Sequence, residues 1–209
     1  MNEELQNILE KVRCMYQKYG IKSITMDDVS RELGISKKTL YQHVADKLDL
    51  VQKVMDLEIE LRLNEFDSVF CCDKNAIEEL VEMHRLVNLS MKEYNPSTDY
   101  DLRKYYPDIH KKMFEIRRKR MFENVLNNLK KGKLQEIYRA DLNESIIAKL
   151  TVVRILQMID NETIPVLEFT STDFFSEVLI YHIRGIANEN GLKILEENID
   201  KLKNPEKYN

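Results

Sequence analysis

Apolar positions recur at helical spacing almost from the first residue of this chain. Leu5, Ile8, Leu9, Val12, Met15, Tyr16 and Tyr19 lie three and four apart, on one side of a helix that Gly20 should stop. Thr25-Met26-Asp27-Asp28 has the form of an N-cap with an acid three residues on, so a second helix should start there, bury Val29 and Leu33, and end at Gly34. Ser36 can cap a short third helix through Val44, and Asp46 with Asp49 can cap a fourth from residue 47 to about 70. Beyond a break at 72–75, Ile77, Leu80, Val81, Val87 and Met91 mark a fifth helix, with Asn95-Pro96-Ser97-Thr98 as its stop. A short segment near 100–106 leads to Pro107, which can open a long helix ending at Lys131 with Gly132 behind it.

The pattern then changes character. Between 143 and 159, Ile146, Ile147, Leu150, Val152, Val153, Ile155, Leu156 and Ile159 surround most of the helix circumference. After a cap at Thr172-Asp173, Phe174, Phe175, Val178, Leu179, Ile180, Tyr181, Ile183 and Ile186 again leave little polar face. Helices apolar on more than one side need more cover than one neighbour gives, so a homodimer is expected, with Val178, Ile183 and Gly185 at its interface. Gly185 either admits a partner helix closely or fits a crossing within one subunit. A last amphipathic helix carries Leu192, Leu195, Ile199 and Leu202, and the tail from Asn204 should fray.

Composition agrees with an all-α chain: five Gly and four Pro among 209 residues leave few tight turns, while 43% hydrophobic and 33% charged residues suit a folded globular protein. The net charge of −4 is unevenly spread. Residues 1–47 hold eight Lys or Arg against seven Asp or Glu, and the remainder 24 against 29, so only the first segment suits a phosphate backbone. The start of the chain lacks a basic and apolar leader, and no apolar run reaches membrane-spanning length, so a cytoplasmic protein without membrane contact is expected. Cys14, Cys71 and Cys72 form no disulfide framework; the adjacent pair is either a thiol or soft-metal site or two small buried hydrophobes, the latter favoured. The run Arg117-Arg118-Lys119-Arg120 reads as a solvated helix face rather than a second basic patch.

The stretch from Ile24 to Val44 has helix-turn-helix mechanics throughout. Val29 and Leu33 face inward from the first helix, Gly34 supplies a positive-φ turn, Ile35 plugs it, and Leu40 and Val44 face inward from the second. Lys37, Lys38, Thr39, Tyr41, Gln42 and His43 are left outward, and those residue types reach phosphates and base edges. The architecture expected is an N-terminal three-helix helix-turn-helix DNA-binding domain, residues 1–47, joined by a long helix to a larger helical ligand-binding and dimerisation domain, residues 48–209.

Leu33-Gly34-Ile35-Ser36, Leu40-Tyr41-Gln42-His43-Val44 and Lys47-Leu48-Asp49-Leu50 fall in register with the DNA-binding region of the tetracycline-repressor-like (TetR) family, which the chain resembles over about residues 5–51. The departures are Val44 for the usual Phe and Ser30 for the usual Ala, both at buried-type positions. The resemblance implies that Thr25, Tyr41, His43 and Lys47 hold phosphates, and that Lys37, Lys38, Thr39 and Gln42, behind the Ser36 cap, read bases of double-stranded operator DNA. It also implies a homodimer, a small-molecule effector, and repression relieved by that effector.

Gly-x-Gly-x-x-Gly, phosphate-loop, His-Glu-x-x-His and Gly-x-Ser-x-Gly signatures do not occur, so neither an enzyme nor a cofactor is expected. His43, His84, His110 and His182 have no metal-ligand spacing. His84 and Asn88 lie one turn apart on the apolar stripe of the fifth helix, where they either satisfy one another in the core or line a ligand pocket. A rival reading from another class is a helical enzyme or adaptor that keeps a vestigial helix-turn-helix.

Overall fold

Capping decides where the first helices begin. In the computed structural model, which describes residues 3–70, 73–92, 94–159, 168, 171–204 and 207, α1 spans Glu3–Tyr19, α2 Met26–Leu33, α3 Lys37–His43 and α4 Lys47–Val69. Then come α5 Ala76–Lys92, α6 Pro96–Tyr105, α7 Pro107–Leu134, α8 Glu144–Ile159, α9 Thr172–Ile186 and α10 Glu189–Lys203. Among the described residues the only β pairing is an isolated antiparallel bridge between Tyr138 and Ala187. The all-α expectation holds. Cys71, Cys72 and most of the tail beyond Asn204 lie outside the described residues.

Three helix ends differ from the sequence expectation, the first being the start of α9, where Ser171 and not Thr172-Asp173 is the cap, accepting the Phe174 N–H at 3.2 Å. Asn95-Pro96 does not merely stop α5: Asn95 is the N-cap of α6, accepting from the Ser97 N–H, and Pro96 occupies its first turn, where its missing N–H costs nothing. Gly132 does not end α7, which continues to Leu134. A Cβ on Gly132 would meet the Tyr138 ring at 2.1 Å, so glycine there serves the close approach of an aromatic side chain.

The chain divides into two compact units, Met1–Asn64 with Glu93–Arg117, and Glu65–Lys92 with Arg118–Asn209. In the first, Ile8, Leu9, Val12, Tyr16, Ile21, Leu40, Val44, Leu50, Val51 and Val54 build the core. The C-terminal carbonyls of α1 are satisfied in part from α6, since Thr98 Oγ1 donates to Tyr16 O at 2.8 Å and Asn95 Nδ2 to Gln17 O at 2.8 Å. The Asp101 carboxylate accepts the Lys22 backbone N–H at 2.7 Å. Thr98 and Asp101 of α6, with its N-cap Asn95, therefore hold the end of α1 and the turn that follows it.

In the second unit, α5, α9 and α10 pack around Ile77, Leu129, Tyr138, Ile180, Ile183, Leu195 and Leu202. A buried carboxylate, Glu79, accepts from Lys131 Nζ at 2.5 Å and from Asn128 Nδ2 at 2.9 Å, and Asn128 Oδ1 accepts from the Tyr138 hydroxyl at 3.0 Å. Burial pushes the Tyr138 phenol up, so it stays a neutral donor. This network fixes α5 against α7 through directional bonds as well as apolar contact.

Candidate nucleic-acid interface

Thr25 opens the helix-turn-helix with a reciprocal cap. Its hydroxyl donates to Asp28 Oδ2 at 2.6 Å and accepts the Asp28 N–H at 3.2 Å, while its own backbone N–H donates to the same carboxylate at 2.9 Å. The hydroxyl bond holds the Asp28 carboxyl below its ordinary value. Gly34 closes α2 at φ +67°, the left-handed region that a side chain would strain. Ile35 N–H then donates to Ser30 O at 3.1 Å. Ser36 caps α3 by accepting the Thr39 N–H at 3.0 Å, and the two hydroxyls lie 2.8 Å apart. Leu40 and Val44 are buried, which fixes the rotation of α3.

With that rotation set, Lys37, Lys38, Tyr41 and Gln42 are exposed and Thr39 is half-buried. Lys37 pairs with Asp27 at 2.6 Å, a bond that raises its pKa and ties the start of α3 to α2. His43 turns mostly inward, with Nε2 3.6 Å from Glu4 Oε1. Lys47 donates from Nζ to Ile24 O at 2.6 Å, and partial burial lowers its pKa. Thr25, Ser36 and Lys47 thus already hold the motif together, whereas Lys38, Tyr41 and Gln42 are the outward groups. Both departures from the usual pattern are accommodated: Ser30 Oγ donates to Met26 O at 2.9 Å, and Val44 is fully covered.

His84 and Asn88 meet each other in the second unit. Asn88 Nδ2 donates to His84 O at 2.9 Å and lies 3.1 Å from His84 Nε2. Ser176 Oγ completes the group, 3.2 Å from the same ring nitrogen and 2.7 Å from Leu202 O. Burial lowers the His84 pKa to about 4, so the imidazole is neutral at ordinary pH. The open depressions lined by Asp73, Lys74, Asn75, Glu78, Lys131 and Gln135, and by Lys130, Lys133, Leu134 and Glu144, include neither residue. His84, Asn88 and Ser176 thus bond to one another in the core of the second unit.

The candidate interface residues separate. Gly185 is exposed with open space where a Cβ would stand, and Val178 is half-buried. Ile183, by contrast, is completely buried in the core of its own unit. Unanticipated were Ile146, Leu150 and Val153, an exposed i, i+4, i+7 stripe on α8, and Tyr181, 76% exposed on α9. That stripe was present in the sequence, but apolar neighbours on every side hid its phase. Arg117, Arg118, Lys119 and Arg120 are exposed, and Arg120 pairs with Asp67 at 2.8 Å. Among the described residues there is no cluster of three or more metal-ligating side chains, and no helix is long and apolar enough to cross a membrane.

Residues 8–54 match the family of bacterial regulatory proteins, tetR family. Over 67 residues the chain is 31% identical to an HTH-type transcriptional regulator of Staphylococcus aureus (strain USA300), a stretch that is 32% of this chain and spans only 36% of that relative. The fold is similar to a transcriptional regulator from Cytophaga hutchinsonii, with a TM-score of 0.74 at 19% identity over 90% of this chain and 100% of the other. It is also similar to the TetR family protein CprB from S. coelicolor A3(2), with a TM-score of 0.66 at 16% identity over 97% and 99% of the two chains. A regulator-like protein of Saccharomonospora viridis, solved in complex with choline, has a TM-score of 0.68 at 19% identity over 90% and 100%. At such identities the structural likeness establishes the fold.

Proposed function

We propose that this chain is a regulator of the TetR kind, whose family model residues 8–54 match, and that it regulates transcription by binding operator DNA as a homodimer, with residues 1–47 as the DNA-binding segment and residues 48–209 as the sensing and dimerising body. The observation that carries this reading is the face of α3: buried Leu40 on one side, exposed Lys38, Tyr41 and Gln42 on the other. Tyr41 and Lys38 bind phosphates or reach base edges, and the Gln42 amide pairs with an adenine. Lys37, Thr39 and His43 support them from the same helix, while Thr25, Ser36 and Lys47 orient it and offer their remaining bonding capacity to the backbone of the duplex.

Tyr41→Ala is expected to weaken DNA binding broadly across sequences, by about 1 kcal/mol for a lost phosphate bond. Gln42→Ala should instead relax preference at one base position, by about 1–3 kcal/mol of discrimination. Anisotropy titrations against a panel of duplexes distinguish the two. Intact binding in both variants, with the fold preserved, would place DNA on a different face.

The dimer reading is supported by the exposed stripe of α8 and by the exposed Tyr181 of α9, and the effector reading by the fold shared with the choline-bound Saccharomonospora protein. For this chain the effector is a small molecule whose binding lowers DNA affinity by favouring a state in which the two DNA-binding segments are wrongly spaced. The grip of α6 on the end of α1 supports a lever for that change, since a shift of Thr98, Asn95 and Asp101 acts directly on the turn leading to α2.

A further inference from the structure

The turn between α1 and α2 and the end of α6 carry a group of exposed cations and aromatics that the helix-turn-helix does not use. Lys22 holds its ammonium 3.8 Å from the ring centre of Tyr105. Lys104 holds a second ammonium 5.4 Å from the same ring centre and 5.1 Å from that of Tyr100, and donates to the Tyr100 hydroxyl at 2.7 Å. All four residues are exposed. The ring faces attract each cation, but two like charges over one ring also repel, and that arrangement retains attraction for an anion. Nearby carboxylates are otherwise occupied: Asp99 pairs with Arg103 at 2.8 Å, and buried Asp101 accepts the Lys22 backbone N–H.

Position gives this strip its meaning. Lys47 Nζ, at the start of α4, donates to Ile24 O at 2.6 Å and lies 3.4 Å from Lys22 O, so the Lys22 end adjoins the segment that opens α2. The α3 face itself is poor in available cations, because Lys37 is paired with Asp27. We propose that Lys22, Lys104, Tyr100 and Tyr105 form a second DNA-backbone contact, binding phosphates that flank the segment read by α3. This rests on the DNA-binding reading above and extends its footprint to α6. Lysines are compact, flexible point charges without the fixed fork of arginine, so their ammonium groups can follow closely spaced phosphates. Tyrosine hydroxyls add further donors to phosphate oxygens.

The test is the salt dependence of binding by the full chain to a labelled random-sequence duplex several helical turns long. Each phosphate contact adds about 0.9 to the slope of log affinity against log salt. Lys22→Gln/Lys104→Gln should therefore flatten the slope by about 1.8, and Lys38→Gln by about 0.9. The Lys22→Arg/Lys104→Arg pair should keep the slope of the unaltered protein, and neither pair should move the thermal midpoint, since both side chains are exposed. Flattening by Lys38→Gln with no change in the Gln pair overturns the second contact and leaves the DNA-binding reading standing. Absence of salt-sensitive binding in the unaltered protein overturns both. A flattened slope that comes with a lowered midpoint, and that the Arg pair does not restore, also overturns the second contact.

Discussion

Leu150→Glu combined with Tyr181→Glu is expected to yield a folded monomer whose affinity for operator DNA is lower by about a hundredfold or more. Both side chains are largely exposed in the single chain, Leu150 on α8 and Tyr181 on α9, so carboxylates there meet water rather than a core. In the proposed dimer the same positions face a second copy, and four carboxylates brought together at a desolvated contact cannot be accommodated. The effect on DNA follows from charge. One DNA-binding segment has eight basic against seven acidic residues and is attached to an acidic remainder, so a single segment binds weakly. Two segments on one rigid dimer make the second contact intramolecular, and this gain disappears with the dimer. Sedimentation and DNA titration of the double variant test both parts. A dimer that persists moves the interface elsewhere.

Ile183→Asp, on the same helix α9, should behave in the opposite way and unfold the second unit before any effect on assembly can be read. Ile183 is fully enclosed by the core that also holds Ile180, Leu195 and Leu202. Replacing it removes a buried aliphatic side chain and inserts a carboxyl with no partner, together costing about 4 kcal/mol or more. A domain of ordinary stability loses much of its margin to one such change. Thermal or denaturant unfolding reads the outcome. A stable Ile183→Asp protein that has become monomeric would reinstate that residue as an interface contact.

The contrast between Tyr181 and Ile183 marks where the sequence stops being informative. Thr25, Ser36 and Asp46 announce helix starts because a cap acts within three or four residues, and the structure contains each of those bonds. The helix-turn-helix was legible for the same reason: Gly34, Ile35, Leu40 and Val44 have one consistent inside. Helix α9 has no such asymmetry. Apolar residues surround it, so no polar stripe fixes its rotation, and only packing separates the buried Ile183 from the exposed Tyr181. Gly132 looked like a helix end because its reason for being glycine, the Tyr138 ring, is supplied by tertiary folding. Asn95-Pro96 stops one helix and starts the next with the same two residues, a local ambiguity resolved when α6 takes hold of the α1 carbonyls. The His84–Asn88 pair has its third member at Ser176, 92 residues from His84 and invisible to any local pattern.

Selection of bound duplexes from a random DNA pool by the full-length protein tests the central claim most directly, because it requires binding, base preference and symmetry at once. The proposed dimer should enrich an inverted repeat whose half-sites lie about one helical turn, ~34 Å, apart or somewhat further. A pool that shows no enrichment, or that converges on a lone half-site bound as tightly as the full repeat, contradicts a paired DNA-binding regulator.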